Sequence, residues 1–378
     1  MIRTKKRTTP YRFLFVSAPF SGIEVFFRNL HNVLADRDDI DSTWEWIEFE
    51  PHEFLARVPP LSWNWTLKGG LVSRWRVRRL ERERTRYSAA LFNHMLPLFF
   101  LRDFQRRIPT ILSIDTTPRM VDAFGPWYAG WHSPFRPFLH NMKRRFDRGV
   151  YMDCARILPW TDLVRHSLEQ HYGVPPNRIT VLSPGVDIEH WKCHRKVRGN
   201  EKKMINVLFV GGQFWRKGGD LLVQVSKRDE FKRCVFHIVT REHIDAFGDN
   251  LHIHVDMDPN NESLKQLFAE ADVFVLPTKA DFAPTNAICE AMAMGLPVIT
   301  TYVGGLEEVV RDGDNGFVIP PDDVESLALR LRILVDSEEK RMNMGRKGRK
   351  LVEEHYNIAL NAEKIIDLMC EAADGNLR

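Results

Sequence analysis

The chain has 378 residues, of which 44% are hydrophobic, and its formal net charge is only +4. This length allows two domains with separate cores, and the apolar content is too high for a disordered protein. The small net charge gives no argument for nucleic-acid binding, and five scattered cysteines suit reduced thiols in a cytoplasmic protein better than a disulfide framework.

The first half of the chain alternates between strand and helix patterns. Its opening residues are basic and then apolar, but the apolar run 11–16 is too short for a signal peptide, and we interpret it as part of a first core strand. A turn containing Gly22 precedes a helix predicted over 23–35, and another helix is predicted over 161–172 before Gly173. Strands are predicted over 11–18, 43–49, 89–92, 110–115, 156–159 and 178–182.

A second alternating series follows residues 192–203, which are basic, poor in apolar residues and interpreted as a linker. Helices are predicted over 264–270 and 324–334. Strands are predicted over 205–210, 235–239, 252–255, 273–276, 297–301 and 316–319. Two such halves predict an α/β protein with two Rossmann-like domains facing a cleft. The sequence has no run of about 18 apolar residues, so no transmembrane helix is predicted.

Residues 271–305 carry the strongest sign of a ligand site. An apolar strand pattern ends at Pro277, a polar loop follows, and a helix predicted over 286–294 leads through Gly295 to a second strand. Such a loop lies at the carboxyl end of a parallel strand, where open α/β sheets bind ligands, and N–H groups at the helix start favour phosphate. Glu290 lies about one turn into the helix, within reach of a ribose. The layout predicts a nucleotide site.

Four segments match one known family in order and spacing: 159–191, 207–222, 264–278 and 271–323. In these segments the chain resembles the retaining glycosyltransferases of the GT-B fold, family-4 type, also described as glycosyl transferases group 1. The resemblance implies transfer of a sugar from a nucleoside diphosphate sugar to a hydroxyl acceptor with retention of configuration. It implies no metal ion and no cofactor besides the nucleotide-sugar co-substrate.

The resemblance also implies a division of the chain. Residues 1–191 correspond to an acceptor-binding Rossmann-like domain, and residues 204–356 to a nucleotide-sugar-binding Rossmann-like domain. The last segment, 357–378, is expected to form a helix that packs back on the first domain. The acceptor implied is a glycan, a lipid-linked acceptor or a small molecule, and the expected process is glycan biosynthesis in the cytoplasm, with membrane association as a further possibility.

The glycine-rich stretch 211–219 carries the predicted diphosphate contacts. Lys217 matches the family's diphosphate-binding lysine by its position before a glycine, and the glycines permit close backbone approach. The family often has an arginine just after the first glycine, where this chain has Gly212. Arg216 can supply the second cation from a different backbone position. The alternative for both side chains is a solvated basic turn.

Glu290 matches the second glutamate of the family's E-x7-E motif, whose carboxylate holds the ribose hydroxyls; the alternative is an exposed helix residue. The first glutamate position falls on Phe282, a departure that leaves the sugar and the activity open. Asp281 lies beside it and is predicted to contact the donor sugar, or else to serve the turn. Thr285 is predicted to cap the helix that begins at Asn286 and to direct N–H groups toward phosphate.

The first domain contributes two predicted site residues. Gly22 lies in a loop that the family places near the diphosphate and the acceptor, although an ordinary βα turn explains it as well. Asp115 stands where the family often has a catalytic-site histidine. It is predicted to contact the sugar or act on the acceptor, with a helix or turn cap as the alternative. His132 and His140 remain alternatives.

Two further groups receive structural interpretations. Glu307 or Glu308, after the tight turn at Gly305, is expected to cap the next helix. The histidines of the second half show no metal-ligand spacing with a carboxylate, so no metal site is predicted.

Residues 61–87 interleave tryptophans with arginines. Such a stretch in the acceptor domain is predicted to lie on an anionic membrane surface as a peripheral contact, or to bind an anionic acceptor. The alternative is a solvated helix whose glutamates pair locally with its arginines.

Rival functions stay open at this point. From the same fold, a nucleotide-sugar epimerase or a phosphorylase-like enzyme is conceivable, although no residue indicates a pyridoxal-phosphate lysine. A noncatalytic nucleotide-sugar-binding protein is the rival from another class, and Phe282 and Gly212 favour it. Donor hydrolysis distinguishes a transferase from a binder. A nucleic-acid-binding protein is a more distant rival because no reading motif accompanies the basic stretch.

Overall fold

The computed structural model describes residues 10–18, 21–47, 65–83, 86–128, 136–192, 204–245, 248–255, 257–258, 261–282 and 284–377. Two parallel sheets, one in each half of the chain, confirm the predicted α/β fold with two Rossmann-like domains. Among the described helices, none is long and apolar enough to cross a membrane.

Among the described residues, the first sheet contains five parallel strands. They are β1 (Tyr11–Ser17), β2 (Ile40–Trp46), β3 (Ala89–Phe92), β4 (Thr110–Ile114) and β5 (Arg156–Pro159). Their order is β2-β1-β3-β4-β5, so the order reverses between β1 and β3. Both faces of this sheet are covered, which is why β1 is apolar and buried on consecutive residues from Phe13 to Val16.

Six α-helices accompany this sheet in the described residues. They are α1 (Ser21–Leu34), α2 (Trp65–Glu83), α3 (Arg102–Gln105), α4 (Pro118–Ala123), α5 (Arg136–Met152) and α6 (Asp162–Tyr172). The strand predicted over 178–182 is wrong: Ile179 forms one isolated bridge with Ile157, directly after a short 3-10 helix, Pro176–Arg178. The preceding prolines favour that tight turn over an extended run.

The second sheet contains six parallel strands in the part of the chain that the structure describes. They are β6 (Ile205–Val210), β7 (Cys234–Thr240), β8 (Leu251–Val255), β9 (Val273–Leu276), β10 (Val298–Thr301) and β11 (Gly316–Ile319). The order β11-β10-β9-β6-β7-β8 reverses between β6 and β9. Open α/β sheets bind ligands at such a reversal, in the crevice beyond the carboxyl ends of the strands.

Six more α-helices follow among the described residues of the second half and the end of the chain. They are α7 (Gly219–Ser226), α8 (Glu262–Glu270), α9 (Asn286–Ala293), α10 (Val324–Asp336), α11 (Glu338–His355) and α12 (Ile358–Ala373). Helix α12 packs against α1 and β3, and its buried Ile365 and Met369 share a core with Phe13 of the first sheet. The last helix thus returns to the first half of the chain.

The chain crosses between the halves twice, and the two crossings touch. The N–H of Val186 donates to the carbonyl of Tyr356 at 2.8 Å, and the N–H of Ile358 donates back to Val186 at 3.1 Å. A Cβ on Gly185 would lie 2.3 Å from the nitrogen of Ile358, so only glycine permits this contact. Residues 193–203 of the predicted linker lie outside the described residues.

Candidate active site

The carboxyl ends of the two sheets face each other across a cleft, and several contacts join its walls. The side-chain amide of Asn286 donates to the carbonyl of Gly22 at 3.3 Å. Arg216 reaches Tyr128 of the opposite domain, and Glu308 reaches the start of α6. The beginnings of α1 and α9 therefore lie close together at the cleft, each with N–H groups suited to an anion.

Lys217 lies at the centre of the second domain's wall. Its ammonium group pairs with the carboxylate of Asp281, and the guanidinium of Arg216 lies 3.5 Å from the other carboxylate oxygen. Burial lowers the pKa of Lys217, while the charge of Asp281 acts in the opposite direction. The loops after β6 and β9 thus place two cations around one buried carboxylate at the strand-order reversal.

Arg216 spans the cleft. Its guanidinium donates to the hydroxyl of Tyr128 at 2.7 Å and lies 5.1 Å from the centre of the Tyr128 ring. It also donates to the carbonyl of Ala280 at 2.5 Å and to the side chain of Gln213. A planar guanidinium can stack and donate at once, which a lysine cannot do, so this arginine is held in one orientation.

Two glycines allow the loops to pack around Asp281. Gly218 has φ +76°, and a Cβ there would lie 2.0 Å from the carbonyl of Pro277. Gly304 has φ +63°, and a Cβ there would lie 1.9 Å from the carbonyl of Asp281 itself. Any larger residue at either position would move the carboxylate away from Lys217.

Gly212 is a different case. A Cβ there would meet only the side chain of Arg241, at an ordinary distance of 3.5 Å. Packing therefore does not exclude the arginine that the family often has at this position. The side chain of Arg241, the first residue after β7, lies beside the space that such an arginine would enter. No local pattern of the sequence indicates this cation, because only the pairing of β6 with β7 brings it there.

Glu290 is buried in α9, as predicted from its apolar neighbours. The hydroxyl of Thr285 accepts from the N–H of Ile288 at 3.4 Å, so the predicted cap is present. Burial raises the pKa of Glu290 to about 8, and among the described residues no cation pairs with it. Partners that donate hydrogen bonds, such as ribose hydroxyls, would stabilise the ionised form of this buried, unpaired carboxyl group.

Asp115 follows β4 in the opposite domain and is half-buried. Burial, together with a smaller contribution from the negative charge of Asp281, raises the pKa of Asp115 to about 6. The two carboxyl groups, predicted separately from the two halves of the chain, therefore lie close enough to affect each other. Gly22 is exposed, and a Cβ there would touch nothing, which leaves open space at the start of α1.

Phe282 occupies the place of the first motif glutamate. Its ring is buried against Phe124 and Tyr128 of the first domain, with ring centres 5.1 Å away in both cases. The departure from the motif thus replaces a carboxylate by an aromatic contact across the cleft. Asp281 directs its carboxylate back to Lys217.

Several residues at the cleft were missed or misassigned from sequence. Asn93, after β3, is fully buried; it accepts from the N–H of Ala18 at 3.1 Å and thereby fixes the residue that follows β1. His94 accepts from the N–H of Leu96 at 3.0 Å, and burial lowers its pKa to about 4, so this imidazole is neutral. The sequence feature that could have indicated these two residues is an Asn-His pair directly after a short apolar strand.

The predicted cap by Glu307 or Glu308 on the following helix is wrong. Glu308 instead accepts from the N–H groups of Asp162 and Leu163, at 2.8 and 2.9 Å, and so caps α6 of the other domain. The tight turn at Gly305 directs the glutamate across the cleft. His132 lies outside the described residues, as does the side chain of His140. The described residues contain no cluster suited to a metal ion.

Two family models cover most of the chain. The model described as Glycosyltransferase Family 4 matches residues 20–190, and the model described as Glycosyl transferases group 1 matches residues 192–351. The two matches meet where the chain passes from the first sheet's domain to the second.

Curated relatives agree with these matches. The chain is 27% identical over 237 residues to the capsular polysaccharide biosynthesis glycosyltransferase CapM of Staphylococcus aureus, covering 57% of this chain and 62% of that protein. It is 32% identical over 253 residues to spore coat protein SA of Bacillus subtilis, covering 57% of this chain and 64% of that protein. The chain thus spans less than two thirds of the length of these curated relatives.

Solved structures share the whole architecture. Sucrose-phosphate synthase from Thermosynechococcus elongatus superposes with a TM-score of 0.74 at 16% identity, over 96% of this chain and 98% of that one. Anabaena HepE, solved in complex with UDP-glucose, gives 0.68 at 14% identity, over 95% and 99%. At such identities the likeness shows the fold. Together with the two family models, it shows that the chain belongs to the GT-B glycosyltransferases of the family-4, or group 1, type.

Proposed function

We propose that this protein transfers a sugar from a nucleoside diphosphate sugar to a hydroxyl acceptor, with retention of configuration and without a metal ion. The observation that carries the proposal is the convergence of Lys217, Arg216 and the starts of α1 and α9 on one cleft. A leaving diphosphate needs this concentration of positive charge and N–H donors. HepE was solved with UDP and with UDP-glucose, and we propose a donor of the same class here.

Each group has a proposed task in the reaction. Lys217 and Arg216 stabilise the leaving diphosphate, a role that a divalent cation plays in other transferases. Asn286, Thr285 and the start of α1 at Gly22 present backbone N–H groups to the phosphates. Gly212 leaves room for the nucleotide to approach β6 closely.

The ribose and the sugar need orientation. Glu290 accepts hydrogen bonds from the ribose hydroxyls, which stabilise its ionised form. Asp281 and Asp115 orient the sugar from opposite walls, and the diphosphate takes over the contacts that Lys217 and Arg216 now make with Asp281. This exchange would leave the Asp281 carboxylate available for sugar hydroxyls.

Bond changes occur on one face of the sugar in the proposed reaction. The bond from the anomeric carbon to the diphosphate oxygen breaks as the acceptor oxygen bonds to that carbon from the same side. The acceptor proton moves to the leaving phosphate oxygen. Asp281 and Asp115 act as orienting groups, and closure of the cleft limits donor hydrolysis by water. The acceptor is proposed to be a glycan, a lipid-linked sugar or a small molecule with a free hydroxyl.

A noncatalytic nucleotide-sugar-binding protein is the second candidate. Phe282 favours it, because its ring fills the place of a sugar-contacting carboxylate and ties the two domains together. Such a protein would bind the donor and would show no hydrolysis of it.

The first test is a thermal-shift comparison of the wild type with Lys217→Ala, using UDP, GDP, ADP and their common sugar conjugates. A ligand at about 100 times its Kd stabilises the native state by about 2.7 kcal/mol. We expect a shift with one nucleotide that Lys217→Ala abolishes, and slow hydrolysis of the matching sugar conjugate. Lys279→Ala is the matched control. Its side chain is as buried as that of Lys217, 13% against 14% exposed, but its ammonium group pairs with Asp220 and Asp322.

Three results decide between the candidates. No shift with any nucleotide would overturn the donor site. A shift without hydrolysis or transfer would favour the binding protein. Turnover that EDTA abolishes would overturn the metal-free reaction.

A further inference from the structure

An open cavity of about 900 Å³ lies in the first domain, between α2 and the segment that leads into β4. Two of its lining residues, Arg86 and Arg107, precede β3 and β4, whereas Asp115 follows β4. A five-residue strand such as β4 spans about 16 Å. The cavity therefore lies at the amino ends of the strands, a strand length away from the candidate active site, and the proposed reaction makes no use of it.

The walls of this cavity carry more positive than negative charge. Glu81 pairs with Arg78 at 3.0 Å and with Arg107 at 2.8 Å. Asp103 pairs with Arg74 at 3.1 Å and also with Arg78. These two carboxylates thus hold three guanidinium groups in place. Because each guanidinium has five N–H donors, some donors of each group have no carboxylate partner.

Two more arginines are left over. Arg82 and Arg86 line the same cavity and are exposed, and within the described part of the chain neither contacts a carboxylate. Beside them, the indole of Trp75 is 62% exposed. The guanidinium of Arg79, which pairs with Glu83 at 2.7 Å, lies 6.0 Å from the centre of the indole ring. An exposed indole beside exposed arginines without carboxylate partners, such as Arg82 and Arg86, is typical of surfaces that lie at the boundary between lipid headgroups and water.

We propose that this cavity and its Trp75 rim bind an anionic lipid surface. The arginines contact the lipid phosphates, and the indole lies at the depth of the headgroups. Soluble phosphates share the phosphate chemistry, but a small hydrophilic anion gains nothing from Trp75. The inference goes beyond the proposed sugar transfer and does not depend on it. For residues 61–87, the sequence predicted either an anionic membrane surface or an anionic acceptor, and the proposal favours the membrane surface. Residues 61–64 and 84–85 lie outside the described residues.

The test is co-sedimentation of the full chain with phosphatidylcholine vesicles, with and without phosphatidylglycerol. Binding should require the anionic lipid and should weaken as salt is raised. Arg82→Gln combined with Arg86→Gln should lower the vesicle partition coefficient about 30-fold, since each basic residue near an anionic surface raises that coefficient about fivefold. The control is Arg332→Gln combined with Arg346→Gln, which removes two exposed arginines of the other domain.

A second pair of variants tests the indole. Trp75→Ala should weaken vesicle binding, whereas Trp215→Ala should not, although Trp215 is similarly exposed at 58% beside the cleft. Equal binding to neutral vesicles, equal losses in the control variants, or binding of pyrophosphate or a short RNA without vesicle binding would each overturn the proposal. The nucleotide-induced thermal shift should be unchanged in Arg82→Gln/Arg86→Gln, so failure of this site and failure of the donor site are distinguishable.

Discussion

The cleft and the α2 cavity are both rich in cations, yet they hold them in opposite ways. In the cleft, Lys217 and Arg216 are largely buried and converge on the carboxylate of Asp281. In the cavity, Arg82 and Arg86 are exposed and contact no carboxylate in the described part of the chain. An anion entering the cleft must replace an internal partner, whereas one at the cavity meets charge that is already available. Cation composition alone therefore does not predict how a site binds.

The largest expected effect comes from removing the central cation of the cleft. Lys217→Ala should lower kcat/KM for sugar transfer about 100- to 1000-fold, the range seen when one group that stabilises transition-state charge is lost. Steady-state kinetics would measure it, with Lys279→Ala as the control. A loss of less than threefold or so would mean that the leaving group does not depend on Lys217.

Removing the internal anion should affect stability and binding in opposite directions. Asp281→Asn leaves Lys217 and Arg216 without their buried partner, and breaking such a pair destabilises a protein by about 3 kcal/mol. The same variant should bind the nucleoside diphosphate at least as tightly as the wild type, because no carboxylate competes, while turnover falls. Urea unfolding and calorimetric titration would measure the two effects. Weaker nucleotide binding would show that Asp281 does not compete with the ligand.

The buried carboxyl of α9 should make donor binding dependent on pH. Burial raises the pKa of Glu290 from 4.5 to about 8, so near pH 7 the free protein holds this proton. Ribose hydroxyls that donate to Glu290 favour the ionised form, and binding should then release the proton. Affinity should rise up to about tenfold per pH unit below pH 8.

Calorimetry in two buffers with different ionisation enthalpies would detect that proton. Glu290→Gln should abolish both the proton release and the pH slope. The raised pKa has a second consequence, since the folded state binds the proton more tightly than the unfolded state. This group's contribution to stability is full below about pH 4.5 and is lost as the pH rises toward 8. A flat stability profile over this range, after comparison with Glu290→Gln, would contradict the assignment.

The smallest effect is expected at the α2 cavity. Arg82→Gln combined with Arg86→Gln should change the free energy of unfolding by less than about 0.5 kcal/mol, because exposed arginines without carboxylate partners contribute little to folding. Urea unfolding of this double variant and of Asp281→Asn would measure the two losses of stability under the same conditions. A loss as large as that of Asp281→Asn would show that these arginines serve the fold and not a ligand.

Much of the site could be predicted from local patterns. The turn at Gly218, the cap by Thr285 and the burial of Glu290 are consequences of residues within a few positions of one another. The roles assigned to them in donor binding stay predictions until the experiments above are done. Asn93 and His94 were missed because a polar pair after a short strand has many local explanations.

Contacts across the cleft could not be predicted in this way. The Lys217–Asp281 pair joins residues 64 positions apart, and the Arg216–Tyr128 hydrogen bond joins residues 88 positions apart. Glu308 was assigned to its own neighbouring helix, whereas it caps a helix 146 residues earlier. In each case the partner depends on which strands lie side by side and on how the two sheets face each other.

By itself, the sequence determined the alternation of strands and helices, the division into two α/β halves and the loops that carry polar residues. It could do so because hydrophobic periodicity, glycines and caps act over a few residues. The tertiary structure decided which of those loops meet, that Phe282 makes aromatic contacts across the cleft, and that the arginines of α2 gather around one cavity. Those outcomes depend on strand order and domain packing, which no local pattern encodes.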